Sequence, residues 1–239
     1  MIDTVYVEMD AVVGKVLDHA RPTDLVIILS DHGFTDFRRV AHVNSWLRQE
    51  GYLALFDPMR TEGRPLLQDV DFSRTQAYAV GFGGIYLNRA GRELEGHVSD
   101  ADAAALREEI AGKLAEWRDP DSGKPIVHRV YRQEQAFHGP HTDKTPDLFI
   151  GFDHGYTASW QTALGGVPAE TVEDNLKKWS GTHLVDPTLV PGILFTNRPL
   201  STDSPSILDI APTILKAAGF TDAELKQMDF DGRALEWSP

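Results

Sequence analysis

The chain has 239 residues, 41% hydrophobic and 25% charged, an ordinary globular composition long enough for a sizeable core in one domain or one and a half. A formal charge of −13 offers no basic field to a nucleic-acid duplex, and no apolar run approaches the roughly 20 residues that span a bilayer. The absence of cysteine excludes disulfides, thiolate metal sites and a Cys nucleophile, while residues 1–10, with three acids and no base, are not expected to be a secretory signal or an Arg-rich transit peptide.

Val5, Met9, Val12, Val13, Val16 and Leu17 recur at helical spacing, which predicts an amphipathic helix over 3–19 with Pro22 beyond its end. The apolar run Leu25–Leu29 predicts a buried strand over 24–30, followed by Ser30-Asp31-His32-Gly33-Phe34, where the glycine is expected to let the backbone turn. Val43, Trp46 and Leu47 suggest a short helix ended near Gly51, with Asn44 as its cap, then an extended Tyr52–Phe56 and a loop over 57–73. Thr75–Val80 and Ile85–Leu87 read as a hairpin-like strand pair around Gly81–Gly84. Ser99 and Asp102 form a capping box before a helix at about 100–117, Asp119–Gly123 has turn chemistry, and Ile126–Tyr131 and Leu148–Gly151 are strands. Residues 154–190 show little periodicity and read as a long functional loop. Gly192–Thr196 reads as a late core strand, and Ser206–Ala218 as a helix with Pro212 in its first turn and Gly219 past its end.

The chemistry concentrates behind the first strand. Carboxyl ends of strands in α/β sheets are where catalytic groups collect, and Asp31 with neutral His32 offers good donors to a divalent cation. The plainer alternative is an Asp that caps a turn beside an incidental His. His183, in Trp179-Ser180-Gly181-Thr182-His183, is either a ligand or an exposed loop residue. Asp153-His154-Gly155 repeats the first motif and reads as a turn near the site, and His138, His141 and Asp143 as a solvated turn. Asn88 to Arg92 reads as a turn closed by Gly91, with contact between Arg92 and an anionic group as the alternative. No P-loop, no Gly-x-Ser-x-Gly and no His-Glu-x-x-His motif is present.

An ordered series of segments carries a family resemblance. It runs through Ser30–Phe34, His42-Val43-Asn44-Ser45-Trp46-Leu47, Ile85-Tyr86-Leu87-Asn88 with Gly91-Arg92-Glu93, and Pro146-Asp147-Leu148. It continues in Gly155-Tyr156, Trp179–His183, Val190-Pro191-Gly192-Ile193-Leu194 and Asp209-Ile210-Ala211-Pro212-Thr213-Ile214-Leu215. Together these resemble the alkaline phosphatase superfamily, more narrowly its type I phosphodiesterase/nucleotide pyrophosphatase group.

The resemblance implies a three-layer α/β/α sandwich with a mostly parallel central sheet. It also implies two divalent cations, commonly zinc with manganese an alternative, about 4 Å apart. Asp31 and His32 would bind one and His183 the other, on a small phosphate ester or nucleotide. A Thr or Ser nucleophile would attack phosphorus, and water would hydrolyse the resulting phospho-enzyme. The family pattern places that nucleophile and an Asp-x-x-x-His pair ahead of the Ser-Asp-His-Gly strand. No Asp here has His four residues later, and Thr4 stands at a helix start, so the nucleophile is expected upstream of Met1. Residues 1–239 are therefore expected to be the C-terminal part of a single catalytic domain whose N-terminal strands are missing, prone to associate through an exposed apolar edge. The resemblance leaves a phosphomutase, a sulfatase or a non-catalytic binding remnant as alternatives.

Overall fold

The computed structural model describes residues 2–238. Met1, ahead of which the nucleophile is expected, lies outside the described residues, as does Pro239. The order begins with α1 (Ile2–His19), β1 (Ile27–Leu29), β2 (Thr35–Ala41) and α2 (Val43–Gln49), then the β3 (Ala77–Val80) and β4 (Gly84–Leu87) pair. Next come α3 (Asp100–Ala115), β5 (Val127–Arg132), α4 (Gln133–Ala136), β6 (Leu148–Phe152) and β7 (Gly155–Ala158). It closes with α5 (Trp160–Ala163), β8 (Val172–Asp174), β9 (Gly181–Thr182), β10 (Leu194–Thr196), α6 (Ile210–Ala217) and α7 (Asp222–Gln227). The chain divides into two compact units, one running to His32 and resuming at Gly192, the other comprising Gly33–Pro191.

In the second unit, β3-β4-β6-β5 form one antiparallel sheet, with the expected hairpin registering Ala79 on Ile85. Helix α3 starts where the capping box predicts: Ser99 Oγ accepts from the Asp102 N–H at 3.2 Å. Its buried Ala103, Ile110 and Leu114 share one face. At the far end of that helix, Trp117 packs on Trp46 of α2 with ring centroids 5.4 Å apart. Leu47, Ile85, Leu87, Ile110, Leu114 and Phe152 are fully buried. Each contributes about 1.5–3 kcal/mol relative to exposure.

Asn44 does not cap α2. The capping position is His42, and the buried Asn44 side chain instead pairs with main chain: Oδ1 accepts from the Ala79 N–H at 2.7 Å and Nδ2 donates to the Ala79 carbonyl at 2.9 Å. That grip fastens the helix to β3 with the hydrogen bonds a neighbouring strand would supply.

The second sheet sets β7, β8 and β9 against β2. It runs through stretches that read from sequence as unstructured, because β7, β8 and β9 are two to four residues long, too short for periodicity to register. Strand β2 itself carries Asp36, Arg38 and Arg39, a charge density that argues against a strand until its partners are seen.

The expected mostly parallel sheet is not what the described strands form. The fold is mixed α/β with several sheets, and among the described strands only β2–β7 pair in parallel. Short connections such as that between β3 and β4 permit antiparallel pairing, whereas a parallel pair needs a longer crossover.

In the first unit, β1 pairs antiparallel with β10, Ile28 opposite Phe195. Neither strand is buried, in contrast to the expectation of two core strands, and Phe195 is 62% exposed. Helix α1 has the predicted span but buries none of its described residues, so Val5, Met9, Val12 and Val16 are exposed. A 3-10 turn, Ile207–Asp209, leads into α6, and Gly219 follows at φ +102° in the left-handed region that favours glycine.

Candidate active site

The tip of β1 is held by its own backbone. The Ser30 N–H donates to the Ile193 carbonyl at 3.0 Å, and Ser30 Oγ accepts from the Ile193 N–H at 3.0 Å. Gly192 lies so close to the Ser30 carbonyl that a Cβ there would clash with it. Two of the segments that carry the family resemblance are thereby locked together, and the lock presents Asp31 and His32. Their side chains lie side by side, His32 Nε2 3.4 Å from Asp31 Oδ2, with the carboxylate 76% exposed and open to a ligand. This is a carboxylate and an imidazole on consecutive residues, a donor set suited to zinc or manganese.

In the second unit the Gly33 N–H donates to the Val190 carbonyl at 2.8 Å. Gly33 is not at positive φ; a Cβ there would sit 2.8 Å from the Pro191 carbonyl oxygen. The glycine of the Ser-Asp-His-Gly motif therefore serves close backbone approach rather than the sharp turn expected from sequence.

Strand β9 then carries His183 to the Phe34 side chain. Thr35 registers on Thr182 and Asp36 on Gly181. Phe34 packs over Gly181 and stands 5.5 Å from the His183 ring, while Thr182 Oγ1 lies 3.1 Å from Thr157 Oγ1, buried. Alternation thus sends Gly181 and His183 to one face and Thr182 to the other. His154 Nδ1 is 3.2 Å from Thr35 Oγ1, on the Thr182 side of the ladder, away from His183. His138, His141 and Asp143 are exposed around a 3-10 turn. Among the described residues, no group of three or more His, Asp or Glu side chains is gathered to hold a metal ion.

Other charged groups are absorbed internally. Arg92 donates to Asp147 at 2.8 Å and to Glu93 at 2.8 Å, so the anionic group it meets is the protein's own buried carboxylate. Sequence reasoning missed Arg39, whose guanidinium lies 3.0 Å from Asp119, 2.7 Å from Asp121 and 3.2 Å from Asp174. No local pattern signals this group, because its partners are some 80 and 135 positions away in the chain. Asp119, fully buried, accepts besides from the Asp121 and Ser122 N–H groups at 2.9 Å and from Tyr156 Oη at 3.0 Å. These bonds hold its carboxyl below the usual range against the opposing effect of burial. His42 is also buried, Nε2 3.4 Å from Glu173 Oε2, and burial pushes its pKa down although the Glu173 charge works against that.

The family model described as type I phosphodiesterase / nucleotide pyrophosphatase matches residues 2–180, a span that includes Asp31 and His32 and stops short of His183. No curated protein matches the chain. With well over half of its length matched, the chain belongs to the type I phosphodiesterase/nucleotide pyrophosphatase family.

Proposed function

We propose that this chain carries part of the two-cation site of a hydrolase acting on phosphodiester or phosphomonoester bonds of small molecules, nucleotides included. The observation that carries the reading is the family match across Asp31 and His32, set on a strand tip that Ser30, Gly192 and Ile193 hold in place. Family members are generally metal-dependent. In the proposed site Asp31 and His32 hold one divalent cation, zinc or manganese, and His183 holds the other. Bound cations supply charge neutralisation at the phosphoryl group and a lowered pKa for a hydroxyl or water.

The chain's own contribution is positional. Asp31 is the hard, exposed donor; His32 beside it is the borderline one. Phe34 stands beside the exposed His183, ring centroids 5.5 Å apart. The nucleophile, a Thr or Ser, and the remaining ligands are assigned to a segment upstream of Met1, these residues forming the C-terminal part of one catalytic domain. In the complete domain, β1 would join a mostly parallel sheet within a three-layer sandwich. The exposed apolar residues of α1 and of β10 support that placement.

Calorimetric titration of zinc into the 239-residue chain tests the site. Asp31→Ala and His183→Ala are each expected to weaken binding by more than the roughly 10–100-fold that loss of a supporting residue costs. The chain alone is expected to turn over bis-p-nitrophenyl phosphate little or not at all. Zinc binding unchanged in both variants would overturn the ligand assignment. Metal-dependent turnover by the isolated chain, lost on Asp31→Ala, would overturn the placing of the nucleophile ahead of Met1.

A further inference from the structure

Outside the residues assigned to metals, the second unit holds a cavity of about 390 Å³. That size suits a small organic ligand. Its apolar walls include Phe37 of β2 and the side chains of Trp160, Leu176 and Trp179; Trp160 and Trp179 are 60% and 66% exposed. Large aromatic faces left open to solvent are costly unless something covers them, and a tryptophan face carries the negative end of the ring quadrupole.

The charges at the cavity favour one sign. Glu173 and Asp174 of β8 both line it. Behind Asp174, the single guanidinium of Arg39 is shared with Asp119 and Asp121. Glu173 Oε2 lies 3.4 Å from Nε2 of buried His42, whose pKa burial lowers. Three carboxylates, of which Asp174 lines the cavity, therefore share one guanidinium, and Glu173 adds a further acid to the lining. Among the described residues, Lys177, on the exposed β8–β9 loop, is the one basic side chain lining the cavity. A neutral flat ring would gain stacking alone, and an anion would meet Glu173. An organic cation gains from both the aromatic walls and the carboxylate.

We propose that this cavity binds a compact organic ammonium group, alkyl- or quaternary, with Phe37, Trp160 and Trp179 against its carbon shell and Glu173 as its counter-charge. The site is independent of the metal assignment and is tested on chelator-treated 239-residue chain. Choline and tetramethylammonium are titrated by calorimetry, with tryptophan fluorescence as a second readout. Saturable binding is expected, weakened by added salt and by about tenfold in Glu173→Gln and in Trp179→Ala. Lys177→Gln, which removes the competing cation, should tighten it. Far-UV circular dichroism verifies that each variant is folded; all three altered side chains are solvent-exposed, and Glu173→Gln or Trp179→Ala alone suffices for the comparison.

The neutral isostere 3,3-dimethylbutan-1-ol binding as tightly as choline would reduce the cavity to an apolar slot and overturn the proposal. Stronger binding of adenosine or of inorganic phosphate would overturn it in favour of a heterocycle or an anion. Absence of saturable binding by either ammonium probe would also overturn it.

Discussion

Gly192 has no room for a side chain, because its α-carbon faces the Ser30 carbonyl at a distance that a methyl group would violate. The obstacle is backbone in a two-strand clamp, not the movable end of a side chain. Gly192→Ala is therefore expected to destabilise the chain by about 1–3 kcal/mol. Gly14, in helix α1 with nothing within 4 Å, provides the contrast. Gly14→Ala should stabilise by about 0.5–1 kcal/mol. Urea midpoints of the two variants moving in the same direction would contradict this account.

Asp147 and Arg92 form a pair that costs more to break than to replace. The carboxylate, 6% exposed, accepts from Arg92 and from the Leu87 N–H, each at 2.8 Å. Asp147→Ala leaves both donors without it and is expected to cost about 3–5 kcal/mol, whereas the double change Asp147→Leu with Arg92→Met should recover part of that loss. A double-mutant cycle by chemical denaturation checks it. Additive effects would show that the pair is not coupled.

The Arg64 guanidinium and its backbone N–H bring the Asp69 carboxyl from 3.8 down to about 2. A carboxyl depressed on folding stabilises the fold above its unfolded pKa, and the contribution disappears as pH falls from near 4 through about 2. Arg64→Met should move the titration back toward the ordinary carboxylate range, read from the Asp69 side-chain carbon signal by NMR. An unmoved midpoint would remove Arg64 as the cause.

His42 has the opposite chemistry and the same direction of pH dependence. Burial depresses this base below its ordinary 6.5, so the folded chain binds fewer protons than the unfolded one below that pH. Stability is expected to fall as pH drops through 6.5 toward the lower folded value. Melting temperatures at about pH 7.5 and about pH 5.5 should differ less in a His42→Leu variant than in the native chain. An equal difference in both would place the sensitivity elsewhere.

Helix α1 leaves Val5, Met9, Val12 and Val16 on an exposed stripe, and strands β1 and β10 pair only with each other among the described residues. Such surfaces promote association. Sedimentation velocity should show a weight-average mass that rises with concentration and falls back when Val5 and Val12 are both changed to Lys. A monodisperse monomer in the native chain would rule this out.

Elements with long, one-sided hydrophobic repeats are legible from residues alone: α1 by its valine spacing, and α3 by Ser99 and its Ile110–Leu114 face. Strand β2 is not, because Arg39 is tolerated there only through Asp119, Asp121 and Asp174, contributed by distant loops and β8. The role of Gly33 is hidden for a related reason. Its constraint comes from Pro191, and a contact across such a sequence separation leaves no local trace. Asp31 and His32 can be picked out because a strand end followed by two adjacent donors is a local pattern. The Glu173–His42 neighbourhood depends on β8 lying beside β2 and has no such signature.

Nearly all the buried apolar side chains lie between Ala41 and Val190 in the second unit, whereas Asp31 and His32 stand in the unit that has almost none. Resistance to amide-proton exchange should follow the same boundary: slow in β4 and β6, fast in α1 and β1. A destabilising change in the Leu47–Phe152 interior would thus lower the melting point without first disturbing the loop that bears the carboxylate and imidazole. A change at the Ser30 clamp would loosen that loop while the bulk of the molecule stays intact.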